Sequence, residues 1–143
     1  MNKKSFALFC YPWDIIDEGY DAIIDAVKRR GLNSIYVTVN YHSGMFFLPH
    51  SKKRKIYFPE PGALYFNPSS WHKNHTFQSP ISNLTENWTK FWEELSNKCK
   101  QNNINLCAWM LGTHNSGIGN KYQEISVHNA WGCLLYTSPS PRD

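Results

Sequence analysis

The sequence predicts an α/β fold built on a parallel sheet, and three observations lead there. Short apolar or β-branched runs alternate with amphipathic stretches along the chain. The first two runs lie about as far apart as a right-handed parallel crossover requires. The turn after the first run, Pro12-Trp13-Asp14, carries no phosphate-cradling glycines, which argues against a dinucleotide-binding fold.

Phe6 to Tyr11 is a continuous apolar run, the pattern of a strand buried on both faces. Pro12-Trp13-Asp14 is expected to end it and open a loop. Tyr20, Ile23, Ile24 and Val27 then recur at i, i+3, i+4 and i+7, placing one apolar stripe on a helix. Asp17 suits its N-cap, and Gly31 suits C′ after the basic turn Lys28-Arg29-Arg30. Ser34 to Asn40 is rich in β-branched residues and reads as the second strand.

A long insertion runs from Tyr41 to about Leu84. Inside it, 55–58 and 63–66 flank Pro59-Glu60-Pro61-Gly62 and read as a small hairpin. Loops of this length are usually functional. A second helix is expected over Thr85 to Gln101, with Trp88, Phe91, Trp92, Leu95 and Cys99 as a core stripe, and a third strand over Ile104 to Leu111. The order strand, helix, strand, long loop, helix, strand fits the truncated N-terminal part of a (β/α)8 barrel, a fold of about 250 residues. Such a piece would leave a strand edge unpaired and helix faces uncovered, so poor solubility is expected of it.

Residues 1–132 are read as this barrel portion and 133–143 as a separate tail. Cys133 to Asp143, CLLYTSPSPRD, back-translates with one choice of codons into the end of a sequencing-library adapter, and its proline and serine pattern joins no helix or strand. Without that tail the cysteines are Cys10, Cys99 and Cys107, an odd number lacking metal-ligand spacing and read as small core residues. The formal charge of +4 is concentrated in 28–30 and in Lys52-Lys53-Arg54-Lys55. Two separated clusters read as solvated loop charge, so no nucleic-acid partner is expected. The N-terminal apolar stretch is too short for a membrane span or a secretion signal. A cytoplasmic chain with no membrane partner follows as the expectation.

In a barrel, function gathers at the carboxyl ends of the strands. That rule selects Tyr11, Trp13 and Asp14; then Asn40, Tyr41 and His42; then Thr113, His114 and Asn115. Flat rings beside amide and imidazole groups suit sugars, which present apolar C–H faces and hydroxyl arrays. The segments 41–50 (YHSGMFFLPH), 53–60 (KRKIYFPE) and 109–116 (WMLGTHNS) resemble uncharacterised bacterial glycoside-hydrolase-like barrel proteins, over Phe6 to Gly132. The resemblance implies action on glycosidic bonds, a carbohydrate as partner, no cofactor, and a pocket lined by His42, His50, His114 and Asn115.

Glycosidases usually need two carboxyl groups about the scissile bond. Asp14 is the carboxylate nearest a strand end, with a sugar contact or a simple turn cap as its alternatives. Asp17, Asp21 and Asp25 read as solvated helix residues, and Glu60 and Glu124 as loop residues. The catalytic pair is therefore expected beyond residue 132, leaving this stretch inactive. A rival reading gives His42, His50, His72, His75 and His114 to a metal-dependent barrel hydrolase. A third is a carbohydrate-binding protein without catalysis.

Overall fold

The structure, a computed structural model, describes residues 4–70, 74–112 and 114–133. His72, Thr113 and most of the adapter-like tail lie outside these described residues.

Strand β1 (Ala7–Cys10) is followed at once by helix α1 (Pro12–Glu18), where a loop was expected. Pro12 stands in the first turn, where its missing N–H costs no intrahelical bond. Asp14 Oδ2 accepts the Tyr11 amide at 3.1 Å, so the carboxylate caps the turn it opens. Gly19, at φ 93°, separates α1 from helix α2 (Tyr20–Arg29). Asp17 is therefore not an N-cap: it lies inside α1.

The apolar stripe of α2 is as expected, with Ile23, Ile24 and Val27 buried. Gly31, at φ 66°, ends it. The Gly31 amide donates to Lys28 O and the Leu32 amide to Val27 O, each at 3.0 Å, which satisfies carbonyls the helix leaves open.

Strand β2 (Ser34–Thr38) pairs in parallel with β1 on one side and with the strand Asn105–Trp109 on the other. Between them the insertion forms strands β3 (Phe46–Phe47) and β4 (Ile56–Tyr57), so Asn105–Trp109 is β5. Helix α3 (Trp88–Gln101) precedes β5, starting at Trp88 because Asn87 Oδ1 caps the Lys90 amide at 2.9 Å. A short α4 (Ser116–Lys121) and one 3-10 turn follow. The chain is thus a mixed α/β unit whose three-stranded parallel sheet has the order β1-β2-β5.

Register divides the sheet into two unlike faces. Leu8, Cys10, Ile35, Val37 and Leu106 share one face and join the core with Val27, Phe91, Leu95 and Cys99 from α2 and α3. Phe9, Tyr36, Cys107 and Trp109 share the other. Phe9 is 64% exposed there, so β1 is not buried on both faces: among the described residues, helices pack against one side only.

The hairpin is also differently built. Phe46 pairs with Tyr57 and Phe47 with Ile56, antiparallel, whereas 63–66 take no part. Pro59 and Pro61 have no amide to continue a ladder. Gly62, at φ 74°, then turns the chain so that Tyr65 N donates to Val39 O at 2.9 Å and Leu64 N to Pro80 O at 2.8 Å. Phe46 and Tyr57 face inward onto Trp13, while Met45, Phe47, Ile56 and Phe58 are each more than half exposed.

Charge, too, is placed otherwise than expected. The Asp17 side chain is buried, bonded to Arg54 Nε and Ser51 Oγ at 2.9 Å each. Lys53 Nζ reaches Ile16 O at 2.6 Å, and Lys55 Nζ reaches Pro49 O and Ser51 O at 3.0 and 2.8 Å. Much of the basic cluster therefore ties the insertion to α1 or closes its own turn, so it is more than solvated charge.

Candidate functional site

Parallel strands deliver their carboxyl ends to one edge, and here that edge carries a run of aromatic rings. Tyr11 follows β1, Tyr41 follows β2, and Trp109 closes β5. Tyr11 meets Tyr41 edge-on at 5.4 Å between ring centroids and Trp109 at 5.9 Å, while Tyr41 and Trp109 are 6.3 Å apart. Phe46 of the hairpin closes in at 5.0 Å from Tyr11 and 5.3 Å from Tyr41. Contacts of this kind each contribute about 0.5–1.5 kcal/mol beyond burial, enough together to hold the rings in place.

Two imidazoles join the edge. His42 stacks on Tyr41 at 4.5 Å, and His114 lies 4.5 Å from His42 with the ring planes tilted by 47°. Both are half-buried. Burial, and then His114, hold the His42 imidazole below its ordinary pKa, against a hydrogen bond with the Ser43 backbone that raises it. Among the described residues, no three His, Cys, Asp or Glu side chains gather as a metal centre would require.

Three other predicted site residues, Trp13, Asn40 and Asn115, serve the framework. Trp13 is fully buried, stacked on Tyr11 at 4.4 Å and packed against Tyr57 and Tyr65. It offers no ring face to a ligand. Asn40 uses both ends of its amide on Leu111: Nδ2 donates to the carbonyl at 3.0 Å, and Oδ1 accepts the amide at 2.9 Å. Asn115 Oδ1 caps the Ile118 amide at 3.0 Å, and a Cβ on Gly62 would meet that oxygen at 2.1 Å. His50 is exposed in the turn between β3 and β4.

Asp14 keeps chemical interest despite its capping role. Burial pushes its carboxyl up to about 6; the bond from the Tyr11 amide opposes this, and Glu18 and Asp17 add to it. Tyr11 itself is pushed above the usual phenol range by burial and by a hydrogen bond with the Tyr41 side chain. Glu60 is spent on structure: Oε2 accepts from Tyr57 Oη at 3.3 Å and Ser82 Oγ at 3.0 Å, and Oε1 accepts the Asn83 amide at 3.3 Å.

Trp109 and Phe46 were not singled out as site residues from the sequence. Trp109 had a readable signal, since two-residue alternation from Cys107 puts it on the uncovered face at a strand end. Phe46 had none, because 45–48 is uniformly apolar and does not say which ring turns inward. Of the predicted set, the fold brings together Tyr11, Tyr41, His42 and His114, and Asp14 accepts the Tyr11 amide from α1. Compared with protein-family models, with curated proteins and with solved structures, the chain finds no match.

Proposed function

We propose that this chain supplies the carbohydrate-binding end of a (β/α)-barrel protein of the glycoside-hydrolase-like kind. The observation that carries the reading is the convergence of Tyr11, Tyr41 and Trp109 with His42 and His114 beyond three adjacent parallel strands. Ring faces suit the C–H face of a pyranose, and imidazole nitrogens can bond its hydroxyls. A barrel also accounts for the uncovered row Phe9, Tyr36 and Trp109, because barrel interiors are filled by side-chain layers.

Hydrolysis asks for more. A carboxyl group titrating near 6, as in Asp14, suits acid–base work near neutrality. A glycosidase needs a second one. Asp17 and Glu60 already spend their oxygens on Arg54, Ser51, Tyr57, Ser82 and Asn83, so neither is free to serve as it.

Titration of the whole chain with soluble neutral oligosaccharides, followed by calorimetry and tryptophan fluorescence, tests the proposal. Binding that disappears in Trp109→Ala and Tyr41→Ala, with the melting temperature retained, supports it. Release of reducing ends would place the catalytic pair within this chain. Binding unaffected by both substitutions would sink the assignment of this edge.

A further inference from the structure

We infer that the outer face of the β3–β4 hairpin docks on an anionic lipid surface. Docking of this kind goes beyond the carbohydrate reading and does not depend on it, because the aromatic edge uses only the inner face of the ribbon, through Phe46.

Register sorts the ribbon into two faces. Phe46 pairs with Tyr57 and Phe47 with Ile56, so strand alternation sends the first pair inward and the second outward. Met45 and Phe58, one residue beyond, fall by the same alternation on the side of Phe47 and Ile56. Met45 is 70% exposed, Phe47 72%, Ile56 52% and Phe58 65%. Four large apolar side chains thus share the solvent side of a sheet only two strands wide. Single exposed apolar residues are ordinary, but a group of this kind, bordered by charge, marks an interaction surface.

The border here is basic. The turn joining the strands carries Lys52, Lys53 and Lys55, all exposed. Lys53 Nζ donates to Ile16 O, and Lys55 Nζ to Pro49 O and Ser51 O, bonds that hold the ammonium groups without neutralising them. Among the described residues, none of the three pairs with a carboxylate, and Asp17 is taken by Arg54. Apolar side chains beside unneutralised lysines match the layers of an anionic bilayer, where hydrocarbon lies under phosphate. No spanning run is needed, since such a ribbon lies on the surface and does not cross it. Other occupants fit less well. A stable protein interface buries about 800 Å² on each partner, more than four side chains supply. A second copy would bring both lysine turns to one self-complementary contact, like charge near like charge.

The test is flotation of the whole chain with vesicles of phosphatidylcholine mixed with phosphatidylglycerol, against vesicles of phosphatidylcholine alone. Flotation is chosen because aggregated protein sinks. We expect partition into the anionic vesicles only, weakened by salt and reduced about fivefold in Lys52→Gln. Phe47→Ser combined with Phe58→Ser should reduce it about tenfold or more, with the melting temperature retained. Phe6→Ser and Lys100→Gln alter exposed residues at the opposite, amino edge of the sheet and should leave it unchanged. Should a hairpin variant fail to fold, hydrogen exchange of the parent chain decides: vesicles should add protection over 45–58 and not at that opposite edge. Several results would overturn the inference: no flotation, equal flotation without phosphatidylglycerol, or indifference to the phenylalanine substitutions. So would an equal loss in the two control variants, or a dimer dispersed by Phe47→Ser, which would give the face to a second copy.

Discussion

The two crossovers of the sheet end alike and differ in everything between. From β1 to β2 the chain passes through α1 and α2 and closes at Gly31; from β2 to β5 it passes through the insertion and α3 and closes at Asn103. At the second closure the Ile104 amide donates to Cys99 O at 2.9 Å and the Asn103 amide to Lys100 O at 3.2 Å, the same pairing as at Gly31. Asn103, at φ 54°, does what Gly31 does at 66°. Helix stripes and their endings are local, so both repeat. The insertion is held by single side chains reaching far along the chain: Asp17 to Ser51 and Arg54, Glu60 to Ser82, Trp92 Nε1 to Tyr65 O at 2.6 Å. One region is stabilised by periodicity, the other by particular bonds.

The sharpest way to break that contrast is Trp13→Ala. Trp13 is fully buried where α1 meets the insertion, against Phe46, Tyr57 and Tyr65. Its loss should cost about 3–5 kcal/mol, read as a lower urea midpoint. A cost below about 1 kcal/mol would place the ring at a surface instead.

Next in size is Asp17→Ala, which strips Arg54 and Ser51 of their acceptor. Removing one partner of a fully buried pair costs about 3–5 kcal/mol; Arg54 stays about a third exposed, so about 2 kcal/mol is expected. Loss of protection confined to amides of 48–57 in hydrogen exchange would show that the insertion opens separately from the sheet. Uniform loss would show that the two regions unfold as one.

The smallest effect concerns Asp14 and depends on pH. Its folded pKa, about 6, lies above the ordinary 3.8. The stability this group contributes is therefore complete below about pH 3.8 and is lost as the pH rises through 6. Asp14→Asn keeps an acceptor for the Tyr11 amide and removes the titration. It should gain about 1 kcal/mol over the parent at pH 8 relative to pH 4, solvent screening allowed for. Paired thermal melts at those two values decide it.

What was legible in the sequence follows the same division. The α2 and α3 stripes and the Gly31 stop rest on contacts a few residues apart, and spacing reports those; the three strands were legible as apolar and β-branched runs, although their pairing joins distant segments. The break at Gly19 was not legible, because Asp17 fits a helix start as well as it fits a buried ion pair. The hairpin partner was misread for a related reason: 63–66 has strand composition, but its amides go to Val39 and Pro80. At the candidate site, strand-end position found Tyr11, Tyr41, His42 and His114. The same rule could not tell those from Trp13 and Asn40, whose burial and bonding are set by distant residues.

Asn40 has a consequence for how this edge tolerates change. Its amide reads one backbone N–H and one C=O of Leu111 at once, as a base reads its complement, and both bonds close at a single spacing and a single orientation. Aspartate at this position would keep the acceptor and lose the donor; leucine would lose both. The residue therefore works as a gauge: it admits one alignment of the segments carrying Tyr41 and His42 on one side and His114 on the other. Substitutions in either segment are then felt across the gap, through an amide bonded at both ends.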